Sequence, residues 1–241
     1  MSNNKLDILA IGIHPDDVEL SCGGTIAKHQ AMGYATGIVD LTQGEMGTRG
    51  TVESRYQEAA AAAAILKTQI RINLKFEDVW CVADKSHQLE IIKIIRKYQP
   101  NIVLINAPYD RHPDHGKAAN LCTDACFLSG LTKIETEYEG KNQIAWRPSA
   151  VYHYVQGRYI EPDFVVDISD FFETKMKAIL AYSTQFYNPK STEPSTYISD
   201  SQFLEYIRSR DLMWGKTIGV KYAEGFIKQR YLGVSDITQL I

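Results

Sequence analysis

Apolar and polar positions along this chain follow two alternating periods. Ile8 to Ile13 is a short run, apolar on both faces and rich in β-branched residues, the pattern of a strand buried in a parallel sheet. Pro15 cannot continue it. The run stops at His14-Pro15-Asp16-Asp17, and VELSCGGTIAKHQAMG then returns apolar side chains at helical spacing (Val18, Ile26, Met32), with Gly33 as the stop. The alternation recurs. Thr36 to Leu41 reads as a second buried strand, EAAAAAAILK as a helix of strong formers, and Gln69 to Phe76 as a third strand. His87 to Tyr98 reads as a helix ended by Pro100, and Asn101 to Asn106 as a fourth strand. Strand and helix in turn predict an α/β fold: three layers, Rossmann-like, with a mostly parallel sheet flanked by helices.

Further along, Lys133 to Pro148 is polar and reads as a loop, while Ala150 to Gln156 and Phe164 to Ile168 read as later strands. From Ser169 onward the pattern is helical, interrupted by the loop NPKSTEPSTY. No internal repeat and no long linker divides the chain, so residues 1–241 are expected to form a single domain. The fold is not expected to bind a dinucleotide. Its first turn is GIHPDD where that fingerprint requires G-x-G-x-x-G, Gly23-Gly24 comes too late, and there is no phosphate-binding GxxxxGK[ST].

Composition narrows the picture. The net charge is −3, without long basic or acidic blocks, so neither nucleic acid nor an anionic membrane is an expected partner. No apolar stretch approaches the roughly 18 residues of a membrane span, and the first residues carry no signal-peptide pattern. A soluble cytoplasmic protein is the expectation. Cys22, Cys81, Cys122 and Cys126 form no CxxC pair and read as reduced thiols. Cys122 and Cys126 are expected to share a helix face as core residues.

Candidate chemistry lies at two strand ends. Open α/β sheets bind ligands just beyond the carboxyl ends of their strands, where His14, Asp16 and Asp17 are expected. The fourth strand runs into His112-Pro113-Asp114-His115, followed by a helix beginning near Gly116. If the two strands are neighbours, the clusters meet. A lone HPDD also suits a helix cap with a packed histidine; two such clusters at equivalent strand ends favour a metal site of two imidazoles and a carboxylate. His14 and Asp17 can reach one ion, and spacing alone does not say which of His112 and His115 joins them. His29 and His87 read as surface or packing residues, His153 as a candidate for the pocket lining, and Tyr187 and Tyr197 as surface aromatics flanking a loop that could fold over the site.

These motifs resemble the LmbE/PIG-L family of zinc-dependent N-acetylglucosamine deacetylases. The resemblance rests on IHPDDVE (13 to 19), TQGEMGTRGTVESRYQEAAAAAAIL (42 to 66) and HPDH (112 to 115), and more loosely on FVVDIS (164 to 169) and KYAEGFI (221 to 227). The subgroup most similar acts on N-acetylglucosaminyl malate in bacillithiol biosynthesis. The resemblance implies Zn2+, or Fe2+, held by His14, Asp17 and His115. It implies Asp16 as general base, His112 as oxyanion stabiliser and proton donor to the amine, and Asp114 as the acid orienting His112. Arg55 matches an arginine contacting the sugar and Asp78 an acid binding a ring hydroxyl, although FEDVW departs from the usual glycine-containing stretch. A small N-acetylated sugar is the implied substrate and a homo-oligomer such as a hexamer the implied assembly. Alternatives are a chitooligosaccharide or acylated antibiotic precursor as substrate, or a metal-binding protein without catalysis.

Overall fold

The computed structural model describes residues 5–239. Among the described residues seven strands form one sheet, in the spatial order Ile70–Phe76, Thr36–Thr42, Ile8–Gly12, Ile102–Ile105, Ala150–Tyr154, Ala223–Lys228, Phe164–Asp167. The first half of the chain builds β1 (Ile8–Gly12), α1 (Asp17–Ala31), β2 (Thr36–Thr42), α2 (Val52–Leu66), β3 (Ile70–Phe76), α3 (Lys85–Tyr98), β4 (Ile102–Ile105) and α4 (Pro113–Leu128). A small hairpin, β5 (Glu137–Tyr138) and β6 (Lys141–Asn142), interrupts the stretch expected to be loop. Then follow β7 (Ala150–Tyr154), β8 (Phe164–Asp167), α5 (Phe172–Leu180), α6 (Phe203–Thr217) and β9 (Ala223–Lys228).

The two-sided apolar pattern of β1 sorts its residues between layers. Ile8 and Ala10 face a core shared with α1, α2 and α5, whereas Leu9 and Ile11 face a second core under α3 and α4. Fully burying a side chain such as Ile11 contributes about 1.5–3 kcal/mol, which fixes the strand's register, since a one-residue slip would exchange its faces. β1 pairs in parallel with both β2 and β4. The chain runs outward through β2 and β3 and then returns to place β4 on β1's other side. The order of strands therefore reverses between β1 and β4, and both His/Asp clusters leave the sheet at that switch point.

Two expectations are corrected. The final stretch is not helical throughout: Ala223–Lys228 is a strand lying antiparallel between β7 and β8. Its short AEGFI segment is largely buried within the sheet, with the Glu224 carboxylate accepting from the Gly24 and Thr25 amides at 2.9 and 2.7 Å. The second site helix begins at Pro113 rather than near Gly116, because proline suits a first helical turn. Gly24, in the pair that does not read as a nucleotide motif, serves packing. A Cβ there would lie 2.7 Å from the Ile168 side chain. All four cysteines are buried and free.

Candidate metal centre and active site

The end of β1 is anchored from its neighbour: the Ile13 amide donates to Asn106 Oδ1 at 3.0 Å. The chain then turns sharply through Asp16, whose φ of 116° lies in the left-handed region, a costly conformation for a residue with a Cβ. This turn starts α1 at Asp17, and the His14 amide donates to Asp17 Oδ2 at 3.0 Å. At the end of β4, His112 precedes α4, and the two clusters meet. The His14 ring lies 4.8 Å from that of His112 and 5.7 Å from that of His115. Asp17 Oδ1 is 3.2 Å from His115 Nε2, and Oδ2 is 3.8 Å from His14 Nδ1.

These groups floor a cavity of about 310 Å³, lined also by Asp16, Asp78, Arg55 and Arg111. Asp78 Oδ1 stands 3.1 Å from His14 Nε2, and its other oxygen accepts from the Met46 amide. Arg55 reaches the site from α2 across Gly44, where a Cβ would overlap the guanidinium. Its Nη2 donates to Gln185 and lies 3.9 Å from Asp16 Oδ2. Asp114 sits deeper, with Oδ1 accepting from Lys117 at 2.8 Å. Among the described residues its Oδ2 is buried without a hydrogen-bond partner, 3.9 Å from both His14 Nε2 and His112 Nδ1. No hydrogen bond joins the Asp114 carboxylate to His112; instead the Asp114 amide donates to His112 Nδ1 at 3.4 Å.

Several residues at the site carried no assignment from the sequence. Asp110 accepts from His115 Nδ1 at 2.6 Å, fixing that ring so that Nε2 faces Asp17. Asn106 and Gln156 both donate to Asp17. The strand-end rule that singles out His14 applies equally to Gln156, just past β7, and to Asn106, just past β4. Gln185 had no comparable signal. His153 is absent from the cavity lining. It lies behind the site, with Nδ1 2.7 Å from the Asn106 carbonyl oxygen. Tyr197 lines the cavity beneath the Arg111 guanidinium, whereas Tyr187 does not.

Burial and charge divide the titratable groups. Burial pushes the Asp16 carboxyl up to about 7, with Arg55 opposing and Asp17 adding to the rise. For Asp17, burial is outweighed by His115 and His14, which hold the carboxyl far below its usual range. Burial depresses the His112 imidazole, and its two neighbouring histidines depress it further. His115 moves the other way. Burial opposes its charge, but Asp17 and Asp110 raise it to about 10.

The donors suit a divalent ion. Ligand atoms of His14, His112 and His115 all fall within 4.8 Å of one another, as do those of His14, Asp78 and Asp114. Asp17, ionised and in contact with two imidazoles, adds the carboxylate of a mixed nitrogen and oxygen set. Asp110 behind His115 is the kind of carboxylate that orients a metal-binding imidazole.

Fold and site together define a class, and the comparisons agree with it. Residues 9–126 match the PIG-L model, described as GlcNAc-PI de-N-acetylase. The diacetylchitobiose deacetylase of Thermococcus kodakarensis is 31% identical over 255 residues, spanning 99% of this chain and 90% of that one. The chain belongs to the PIG-L family. Among solved structures, a conserved protein of Thermus thermophilus superimposes with a TM-score of 0.84 at 36% identity, covering 95% of this chain and 98% of that one. An N,N'-diacetylchitobiose deacetylase of Pyrococcus horikoshii, complexed with an inhibitor, gives 0.79 at 26% identity over 97% and 88% of the two chains.

Proposed function

We propose that this protein is a metal-dependent N-deacetylase of small N-acetylglucosamine conjugates. The observation that carries the reading is the meeting of the two clusters: ionised Asp17 between His14 and His115, with buried Asp16 beside it, on the floor of one cavity. His14, Asp17 and His115 would hold the ion, zinc or ferrous iron. When bound, it polarises an amide carbonyl and acidifies water. Asp16, ionised, accepts the proton that water loses as its oxygen bonds to the acetyl carbon. A carboxyl titrating at about 7 is then acidic enough to pass that proton to the nitrogen as the C–N bond breaks, releasing acetate and the amine. His112 accepts from the Asp114 amide at Nδ1, which leaves its proton on Nε2 as a donor to the developing oxyanion. The resemblance implies a second donor to the amine, His112 itself.

Arg55 and Asp78 are assigned to the sugar. The aglycone is assigned to malate or another small carboxylate. Arg49 and Arg55 have acidic neighbours in Glu193 and Asp16, but Arg111, stacked 4.2 Å from the Tyr197 ring centre, has no ion-pair partner among the described residues. Diacetylchitobiose, the substrate named for two similar proteins, is the competing substrate, with a second sugar in place of the carboxylate group. Incubating zinc-loaded protein with N-acetylglucosaminyl malate, diacetylchitobiose and N-acetylglucosamine, and assaying free amine, tests the reading. Amine is expected fastest from the malate conjugate, reversibly abolished by a chelator. No amine from any of the three overturns the deacetylase assignment; preference for diacetylchitobiose overturns the malate assignment.

A further inference from the structure

The Asp17 carboxylate is gripped by two neutral amides. Asn106 Nδ2 donates to its Oδ2 and Gln156 Nε2 to its Oδ1, both at 3.0 Å. The two amides also lock each other: Asn106 Nδ2 donates to Gln156 Oε1 at 3.0 Å, and the Ala107 amide donates to the same oxygen at 3.1 Å. Asn106 Oδ1 is committed to the Ile13 amide, so turning either amide over would set donor against donor and oxygen against oxygen. The backbone behind the pair is pinned as well. Arg210 donates to the Gln156 carbonyl at 2.9 Å, and His153 Nδ1 lies 2.7 Å from that of Asn106. Asn106 is fully buried and Gln156 nearly so.

We infer that Asn106 and Gln156 are positioning residues that hold Asp17 ready for a divalent cation, an inference resting on the metal-dependent reading above. The residue types suit that task. A lysine or arginine in their place would neutralise the carboxylate and compete with the ion, whereas a primary amide fixes its orientation and leaves its charge in place. Asp17 Oδ2 also accepts from the His14 backbone amide, so the oxygen left to the ion is Oδ1, which faces His115 Nε2 at 3.2 Å. Outer partners of this kind typically set metal affinity by about 10–100-fold.

The test is zinc affinity, measured by competition with a chromophoric chelator on metal-free full-length protein, together with the urea unfolding of each metal-free form. Gln156→Leu, or Gln156→Met should the first not fold, removes the donor without adding charge. Zinc binding is expected to weaken about 10–100-fold. A merely structural glutamine would lower the unfolding midpoint and leave zinc affinity at the wild-type value, and that result overturns the inference while the metal reading stands. Wild-type protein that binds no zinc overturns both.

Discussion

Two kinds of helix start coexist in this molecule. At α2 and α3 the backbone is capped as isolated helices prefer. Thr51 Oγ1 accepts from the Ser54 amide at 3.1 Å while Ser54 Oγ accepts from the Thr51 amide, and Asp84 accepts from the His87 amide at 2.9 Å. At α1 and α4, which carry the two clusters, this help is missing or weak. Asp16 makes no side-chain cap and sits at φ 116°, and His112 offers only a 3.4 Å contact to the Asp114 amide. A good cap is worth about 0.5–2 kcal/mol and a left-handed aspartate costs about 1–3. The site helices therefore forgo stability that α2 and α3 keep. What they gain is direction: Asp16 faces the cavity instead of its own helix. Neighbours hold α1 in other ways: Asn106 fixes Ile13 ahead of the turn, and Glu224 accepts from the Gly24 and Thr25 amides just past a kink at Cys22.

The largest effects are expected where this comparison is broken outright. Asp17→Ala and His115→Ala should lose the ion and the rate together. Asp16→Asn and His112→Ala should keep wild-type metal content, with kcat falling by roughly 10² or more. Metal content and kcat measured on the same preparations decide it; a reversal of the two pairs would show the roles to be misassigned. Asp16→Asn sharpens the contrast further, because asparagine tolerates left-handed φ. The Asp16 carboxyl titrates at about 7 in the fold against an ordinary 3.8. It therefore favours the fold below that ordinary value, and the advantage is lost as pH rises through about 7. Metal-free Asp16→Asn should accordingly melt higher than wild type at pH 8, with the gain fading toward pH 4. A variant no more stable at pH 8 would mean that burial of Asp16 carries no such cost.

A smaller effect is expected at Arg55, on the conventionally capped α2. Arg55→Ala should cost about 1.5–3 kcal/mol in kcat/KM with metal content unchanged. Arg55 is the main charge opposing the rise of Asp16, so removing it lets Asp16 stay protonated to higher pH. The acidic limb of the rate profile should move up in pH, and Arg55→Lys should bring it partly back. An unmoved limb would confine Arg55 to the sugar.

The layers of the fold, the first four strands and the convergence of HPDD with HPDH were legible because each rests on local periodicity plus one topological rule. β9 was not. AEGFI is too short and too interrupted by Gly225 and Glu224 to announce a strand, and it becomes one only because β7 and β8 offer edges on both sides. The same divide runs through the site. His14, Asp17, His112 and His115 stand in motifs, but the supports Asn106 and Gln156 act on Asp17 through geometry between strand ends that no single segment encodes. Gln185, reaching Arg55 from the loop after α5, is the least legible, since its segment has no periodicity to place it.

The smallest effect is expected at Thr51, where a helix start is conventional and the comparison can be checked from its other side. Thr51→Ala removes the Ser54 partner and should lower stability by about 1 kcal/mol, read from urea unfolding. The rate should not change, because Arg55 is held by groups other than the cap. Gln185 accepts from its guanidinium, and Glu58, one turn on, is fastened by the Thr184 amide at 2.7 Å and by Ser183 at 3.1 Å. Those anchors lie in the loop after α5, so fraying of the first turn of α2 does not swing the arginine away. If Thr51→Ala instead lowered kcat/KM as far as Arg55→Ala does, the cap itself would be positioning the guanidinium. The distinction between helix starts that serve stability and those that serve the site would then fail at α2.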